Sequence, residues 1–189
     1  MVRTSALTVL AFLASALAGC ATPGPGPGYR HAPHQPMGMM AGRMAVASLT
    51  PTQGNQVRGL VVFHEMDGHL MVHARLSGLR PDGEHGFHVH ETGSCASVDG
   101  NSAGGHFNPD AKPHGPQTAE HHAGDMPSLK ADAKGVVDQK FMLQGPTLAP
   151  GPASVVGRSV IVHAQADDFS TQPTGNSGPR VACGVIAAH

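Results

Sequence analysis

A cluster of imidazole and carboxylate side chains lies in one short stretch near the middle of the chain. Its members are His88, His90, His106, His114, His122 and Asp125. Imidazole has two ring nitrogens, and each of them can take a metal ion or a proton. One histidine can therefore join two ions, and the order of these residues predicts two metal sites that share an imidazole. Paired sites of this kind suggest redox chemistry.

Two predicted strands position part of this set. Alternate side chains of a strand share a face, so His88 and His90 point one way while Val89 points the other. Taken alone, a His-x-His pair is more typical of surface or hydrogen-bonding histidines. His163 supplies a further imidazole at the end of a second predicted strand, and this company favours metal binding.

The other ligands fall in a long irregular stretch, roughly residues 92–127, and a second such stretch covers about 164–179. Loops of this length inside a compact domain are usually functional. Three imidazoles with the carboxylate of Asp125 suit tetrahedral zinc, whereas a near-planar set of imidazole nitrogens suits copper(II). The sequence therefore predicts two chemically different metal sites.

Short apolar runs separated by turn signals account for the rest of the folded part. Hydrophobic residues make up 40% of the chain but aromatic residues only 4%, and 25 Gly with 16 Pro favour turns over long helices. The Asp67-Gly68 pair between two apolar runs predicts a β-hairpin. Strands are predicted at 57–63, 70–76, 84–91, 136–143, 159–163 and 181–186. We therefore expect an all-β domain.

The charge balance indicates no charged macromolecular partner. The chain has 12 basic and 13 acidic residues and a formal net charge of -1. This balance gives no field that would attract nucleic acid or an anionic membrane surface. Any steering of a charged substrate is therefore local.

The first 41 residues predict export rather than folding. Residues 1–19 carry one basic residue and then a short apolar stretch, which is typical of a signal peptide. Leu17-Ala18-Gly19-Cys20 resembles a bacterial lipobox, in which Cys20 is lipidated and becomes the first mature residue; the alternative is an ordinary signal with a coincidental cysteine. Lipid at Cys20 would attach the protein to a membrane.

Residues 20–41 are rich in Pro and Gly and predict a flexible tether, which leaves 42–189 as the folded domain. The tether either binds copper weakly or is a linker of biased composition, and its soft and borderline ligands are His31, His34, Met37, Met39 and Met40. If Cys20 is lipidated, Cys95 and Cys183 remain. In an oxidising compartment they pair or stay separate thiols, and pairing is favoured.

These motifs closely resemble the copper/zinc superoxide dismutases in their bacterial exported form. The resemblance covers about Val57 to Ile186. Its most specific stretches are Gly86-Phe87-His88-Val89-His90-Glu91, Gly105-His106-Phe107-Asn108-Pro109, His122-Ala123-Gly124-Asp125, Gly157 to His163, Asp167-Asp168 and Arg180 to Ile186.

The resemblance implies a role for each site residue. The implied copper ligands are His88, His90, His106 and His163. The implied zinc ligands are His106, His114, His122 and Asp125; His122 is preferred to His121 because it stands three residues before Asp125. Asp167 is implied to hydrogen-bond His88 and His114 and so orient a ligand of each metal. Asp168 is interpreted as an exposed loop acid.

Arg180 resembles the guanidinium that family members place beside copper, where a permanent cation attracts the superoxide anion. Cys95 and Cys183 resemble the intrasubunit disulfide of the family. Five histidines fall outside the ligand pattern and are interpreted as ordinary polar residues: His64, His69, His73, His85 and His121.

The resemblance also implies a fold and a reaction. The expected fold is a Greek-key β-sandwich or flattened barrel with a metal-binding loop and an electrostatic loop. The expected reaction converts superoxide to O2 and H2O2 by alternate reduction and oxidation of copper, with His106 passing a proton to the nascent peroxide. The expected location is the periplasm or cell envelope, with a lipid anchor at Cys20. A homodimer is compatible with the family, but no interface is implied.

The alternative is a noncatalytic copper- and zinc-binding or copper-delivery lipoprotein of the same fold. The metal-binding composition of the tether favours it. The complete ligand sets and Arg180 argue against it, because delivery needs labile copper rather than a closed redox site.

Overall fold

Antiparallel strands form nearly all of the regular structure in the computed structural model, which describes residues 43–189. The predicted signal peptide, the lipidation site Cys20 and the tether lie outside the described residues. Within the described part, no helix has the length and apolar character that a membrane crossing requires.

Residues 43–189 form nine strands and one turn of 3-10 helix at Asn101–Ala103. The strands are β1 Met44–Pro51, β2 Arg58–Met66, β3 His69–Ser77, β4 Glu84–His85, β5 Phe87–His90, β6 Leu129–Lys130, β7 Val137–Gln144, β8 Ser159–His163 and β9 Arg180–Ala188. Seven of them make one curled antiparallel sheet in the order β5-β8-β9-β1-β2-β3-β7, and β4 pairs with β6. The all-β prediction is confirmed.

The strand order contains a Greek-key arrangement. β1, β2 and β3 follow one another as a meander, and β9 returns by a long connection to lie beside β1. That return places the first part of β9, Arg180 to Val185, next to β8, which in turn pairs with β5. The three strands that carry predicted site residues are therefore neighbours at one side of the sheet.

Strict alternation of side chains builds the core. In β3, Leu70, Val72 and Ala74 are fully buried, whereas the residues between them are half-buried or exposed. Opposite them on β2, Val61 and Phe63 are also fully buried. Burying each of the larger side chains in this set, the Leu, Val and Phe residues, stabilises the fold by about 1.5–3 kcal/mol.

The Asp67-Gly68 hairpin is confirmed. Asp67 and Gly68 have φ of 48° and 82°, and the two residues connect Met66 directly to its cross-strand partner His69. Positive φ at both turn positions gives the local twist that matches two antiparallel strands.

Three details differ from the sequence-based expectation. β1 was not predicted, because its Ala- and Ser-containing run has only two β-branched residues, Val46 and Thr50, and no aromatic residue. The run expected at 84–91 is split into β4 and β5 at Gly86, whose Cα lies against the Ser177 side chain, where a Cβ would clash. β6 is only two residues long, too short to leave a periodic pattern.

Candidate metal centre

β5 carries two of the predicted ligands into the interior. All four residues of this strand are buried, and His88 and His90 are 0% and 1% exposed. The strand pairs with β8 on one side. On its other side it is held by the long loop of residues 92–127, the predicted metal-binding loop, rather than by another strand.

A ring of three backbone hydrogen bonds fixes that loop to β5. Val89 N–H donates to the Gly124 carbonyl, Gly124 N–H donates to the Phe107 carbonyl, and Phe107 N–H donates to the Val89 carbonyl, each at 2.8 Å. The residues beside these bonds consequently face one another, His88 opposite Asp125 and His90 opposite His106. Two separate segments of the loop thus place His106 and Asp125 beside β5.

The first cluster contains four buried imidazoles. Its members are His88, His90, His106 and His163, and their candidate ligand atoms lie within 4.8 Å of one another. In each ring one nitrogen has no hydrogen-bond partner anywhere in residues 43–189; the atoms are His88 Nδ1, His90 Nε2, His106 Nε2 and His163 Nε2. Four buried nitrogen lone pairs that converge without partners fit a copper ion.

The opposite nitrogen of each ring is held by the protein. His88 Nε2–H donates to Asp167 Oδ2 at 2.5 Å, His90 Nδ1–H to the Gly104 carbonyl at 2.9 Å, and His163 Nδ1–H to the Gly178 carbonyl at 3.0 Å. These acceptors fix the tautomer, because a carbonyl or carboxylate oxygen can only accept. They also fix the orientation of the rings, as outer partners do in metal sites.

The second cluster surrounds Asp125. Its carboxylate oxygens lie 2.9 Å from His106 Nδ1, 3.0 Å from His114 Nδ1 and 3.3 Å from His122 Nδ1. A tetrahedral zinc ion with ligands at about 2.0–2.1 Å would separate neighbouring ligand atoms by roughly 3.3 Å. The cluster therefore has the composition and nearly the size of a zinc site, and it shares His106 with the first.

Asp167 connects the two clusters a second time. Its Oδ2 accepts from His88, and its Oδ1 lies 2.9 Å from His114 Nε2. The residue is 7% exposed and comes from the second long loop. The contacts expected of Asp167 are therefore present.

The pKa values of the buried histidines decide which rings are free of a proton and can bind a cation. Burial is the main cause that lowers the pKa of His88 to about 4 and that of His163 to about 3, so these rings are neutral at pH 7. Neutral imidazole is the form that ligates metals. Burial opposes protonation of His114 as well, but hydrogen bonds with Asp125 and Asp167 outweigh it and raise its pKa to about 9. A cation bound there would replace that proton.

Arg180 begins β9 beside the first cluster. Its guanidinium donates to the carbonyls of Gly100 at 2.8 Å and Gly104 at 2.7 Å. The second of these oxygens also accepts from His90. Burial lowers the pKa of Arg180, yet a guanidinium stays charged at any physiological pH. The side chain is thus a fixed cation tied to the same loop as the imidazoles.

Cys95 and Cys183 form a disulfide, with their Cα atoms 5.8 Å apart. The bond joins the start of the metal-binding loop to the middle of β9. Both residues pack with Ala103 and Ile161 in a small apolar cluster. The predicted pairing is therefore confirmed in the structure.

Some contributors to the centre were not identified from the sequence. His85 is 3% exposed, and its Nδ1–H donates to the carbonyl of His163 at 2.8 Å, so it is more than an ordinary polar residue. Gly175 lies so close to Asp167 and His114 that a Cβ there would collide with both. Neither role has a local sequence signal, because each depends on a contact between distant loops.

Asp168 is exposed as expected, but it also organises its own loop. Its carboxylate accepts from the backbone N–H groups of Ser170 and Thr171 and from the Thr171 hydroxyl at 2.6 Å. A short polar side chain that bonds residues just ahead of it is a recognised turn signal, so the sequence did contain this information.

Residues 57–186 match the family model described as copper/zinc superoxide dismutase. The superoxide dismutase-like protein YojM of Bacillus subtilis is 39% identical over 143 residues, which cover 73% of each chain. The extracellular superoxide dismutase [Cu-Zn] of Drosophila melanogaster is 36% identical over 191 residues, covering 94% of this chain and 98% of that one.

A solved structure shows the same similarity. The crystal structure of a double mutant of a SOD-like protein from Bacillus subtilis superposes with a TM-score of 0.68 at 40% identity, covering 75% of this chain and 96% of the other. Fold, sequence and the two connected ligand clusters agree. The chain belongs to the copper/zinc superoxide dismutase family, and its cofactors are copper and zinc.

Proposed function

We propose that this protein dismutates superoxide to O2 and H2O2. The observation that carries the proposal is the position of His106, whose Nδ1 faces the Asp125 carboxylate while its Nε2 has no partner within residues 43–189 and turns to the other three imidazoles. A purely structural metal site needs one closed ligand set. Two unlike sets that share a ring suit a redox centre held in place by a neighbouring cation.

The ligand assignment follows from the composition of each cluster. Copper would be held by His88, His90, His106 and His163, and zinc by His106, His114, His122 and Asp125. Copper supplies one-electron oxidation and reduction, whereas zinc contributes a fixed charge and a fixed geometry.

Arg180 binds and orients the substrate anion. Superoxide is small and negatively charged, so a permanent cation at the cluster lowers its energy there. Hydrogen bonds to two loop carbonyls restrict the guanidinium to one position. The residue therefore contributes without exchanging a proton of its own.

His106 holds and moves a proton at Nε2. The nitrogen is buried and has no competing acceptor or donor among the described residues. At a stage of the cycle when it would not be bound to copper, it can therefore hold a proton for a neighbouring oxygen anion. Nδ1 faces the Asp125 carboxylate, and zinc held by both residues would keep the ring oriented during the transfer.

The test is superoxide decay measured by pulse radiolysis on the full chain reconstituted with both metals. We expect rapid, catalytic decay in the wild type and loss of it in His163→Ala with zinc retained. His121→Gln is the matched control and should keep full activity, because His121 is half-buried and its ring bonds only the Ala119 carbonyl among the described residues. Undiminished activity in His163→Ala would contradict the copper assignment.

One observation favours a second candidate, a noncatalytic copper- and zinc-binding or copper-delivery protein. The relative from Bacillus subtilis is described as superoxide dismutase-like rather than as a superoxide dismutase. A carrier would bind both metals yet give no decay in the same experiment, and it would release copper rapidly to a competing chelator. Fast decay with slow copper release would support the enzyme.

We also propose that the chain is processed and exported. Residues 1–19 are removed, Cys20 is lipidated and residues 20–41 tether the 42–189 domain to a bacterial membrane in the periplasm or cell envelope. The disulfide supports an oxidising compartment. Cys20→Ser should move the protein from the membrane to the soluble fraction and abolish incorporation of labelled fatty acid. Sedimentation equilibrium would test association into a homodimer.

A further inference from the structure

We propose that the outer face of the sheet holds a separate site for a soft monovalent cation, Cu(I), formed by His64 with the thioethers of Met44 and Met71. The site lies outside both clusters of the metal centre. It uses residues to which the ligand pattern of the family gives no role.

The methionines of the described chain are distributed unevenly. Of the five in residues 43–189, only Met126 is in the core, where it is 0% exposed. The other four lie on β1, β2, β3 and β7: Met44, Met66, Met71 and Met142. Met66 and Met142 are 48% and 42% exposed. Apolar side chains that served only to build the core would point inward.

The strand register brings these residues together with a histidine. Met44 is the cross-strand partner of His64, His64 is the partner of Met71, and Met71 is the partner of Met142. Directly opposite residues have Cβ atoms about 4.5–5.5 Å apart and share a face of the sheet. His64 therefore has a thioether on each side, and Met142 extends the row by one strand.

The burial pattern shows which face this is. The neighbours Ala45, Phe63 and Val72 are fully buried on the core side, so the row itself faces outward, with His64 and Met71 only half-buried. On the side of β1 away from β2, the backbone N–H of His189 donates to the Met44 carbonyl at 2.9 Å.

The next histidine along the face is already engaged. His73 follows Met71 by two residues in β3 and so lies on the same face as His64. Its Nε2 contacts Asp138 at 2.5 Å. It therefore makes a hydrogen-bonded pair rather than a ligand in the row. This contrast makes His73 a natural control.

The ligand chemistry selects the cation. Thioether sulfur is a soft ligand that favours Cu(I), and imidazole suits copper generally. Methionine has three rotatable bonds, so two of them can bend towards an ion held by the imidazole between them. The set carries no negative charge, which suits a monovalent ion better than a divalent one because less charge is left uncompensated. The metal centre, by contrast, offers only nitrogen and oxygen.

The first experiment uses Ag(I), a soft monovalent cation without redox chemistry, added to the full-length protein with zinc and reduced copper bound. The chain is labelled with 13C at the methionine methyl groups. We expect the methyl signals of Met44 and Met71 to shift saturably with one equivalent, while Met126 in the core stays unchanged. Shifts confined to Met37, Met39 and Met40 of the tether, or no shift at all, would overturn the proposal.

The second experiment measures Cu(I) affinity by competition with a chromophoric chelator. Met44→Leu combined with Met71→Leu preserves volume and so preserves the fold. It should weaken binding at least about tenfold, since even outer partners of ligands contribute about 10–100-fold to metal affinity. His64→Gln should do the same, whereas His73→Gln should bind normally. Wild-type affinity in the double leucine variant would exclude the site.

Discussion

The two ring nitrogens of each imidazole in the first cluster have different surroundings. One nitrogen contacts protein oxygen and the other points into the cluster without a protein partner in the described chain. Because the protein contact fixes both tautomer and tilt, the lone pairs converge without any motion of the rings. A residue that supports such a contact therefore affects metal affinity even though it touches no metal.

Gly175 provides a test at this scale. We expect Gly175→Ala to weaken zinc binding by about 10–100-fold, because the added Cβ would push Asp167 away from His114 and leave that ligand unsupported. Zinc affinity is measured by competition with a chromophoric chelator. Part of any effect could come from backbone strain alone, since Gly175 has a φ of 65°.

Gly68→Ala controls for that strain. Gly68 also has a positive φ, 82°, but a Cβ there meets nothing within 4 Å. This variant should lose some stability and keep normal zinc affinity. Equal zinc affinity in the Gly175 and Gly68 variants would show that the Asp167 contact does not orient His114.

The sequence predicted which side chains come together in the two clusters better than it predicted the groups that hold them in place. The histidines and Asp125 could be recognised because side chains that bind metals are few and their spacing is characteristic. The carbonyl of Gly104 and the close approach of Gly175 could not, because a backbone oxygen or a missing Cβ leaves no distinctive residue type. Whether an imidazole is held depends on where two loops meet, which local patterns do not encode.

At the scale of elements, the metal-binding loop is fixed to the sheet at two places. The backbone ring at Val89 holds its ligand-bearing segments, and the disulfide holds its first part to β9. The covalent bond spans a sequence separation of 88 residues. In the chain-entropy model, closing a loop of this size stabilises the fold by about 4 to 5 kcal/mol.

Replacing both Cys95 and Cys183 by Ser should lower the free energy of unfolding by up to about 4 to 5 kcal/mol. Urea denaturation of the wild type and of the double serine variant measures the difference. The wild type is also measured after reduction of its disulfide. The reduced wild type and the serine variant should unfold at the same urea concentration. An unchanged midpoint in both would mean that the bond contributes nothing to stability.

The turn after Asp168 should depend on pH. Hydrogen bonds from the Thr171 hydroxyl and from the backbone lower the pKa of Asp168 to about 2, below the ordinary value of 3.8. The ionised carboxylate therefore stabilises the turn fully above about pH 4, and this contribution is lost as the pH falls through 2.

NMR measures this effect through the amide signal of Thr171. We expect that signal to titrate with a midpoint near 2 in the wild type. The signal should not titrate in Asp168→Asn, which cannot ionise. A wild-type midpoint at the ordinary value would show that the hydrogen bonds do not hold the carboxylate.

Elements with a strong local signal were predicted correctly, and those defined by their partners were not. The Asp67-Gly68 hairpin has a turn that few residue pairs can form, so its position could be deduced. β1 is a strand because β2 and β9 lie on either side of it, and its own residues indicate this only weakly. The break at Gly86 likewise follows from the approach of the second long loop.

At the scale of the whole molecule, charge is nearly balanced. The net charge is -1, and residues 170–179 contain no charged side chain. Exposed charges more than a Debye length away, about 10 Å at 0.1 M salt, are largely screened. Long-range attraction of superoxide should therefore be weak, and Arg180 should act at short range.

This balance predicts a small effect of salt. We expect kcat/KM for superoxide to fall less than about threefold between 0.01 and 0.15 M ionic strength, since strongly steered enzymes change far more. Arg180→Lys should keep some activity. Arg180→Ala should lower kcat/KM at least about tenfold at every salt concentration. Both variants should keep the copper content of the wild type. A steep decline in the wild type would indicate steering by charges other than Arg180.

The carbonyl oxygen of Gly104 accepts from both the Arg180 guanidinium and the His90 ring. One peptide group thereby sets the separation between the Arg180 guanidinium, which we propose binds superoxide, and the His90 ring, which we propose binds copper. A change in this peptide group would therefore alter both the binding of the anion and its electron exchange with the metal ion. Any redesign of the loop for a larger or differently charged oxidant must first supply a second acceptor.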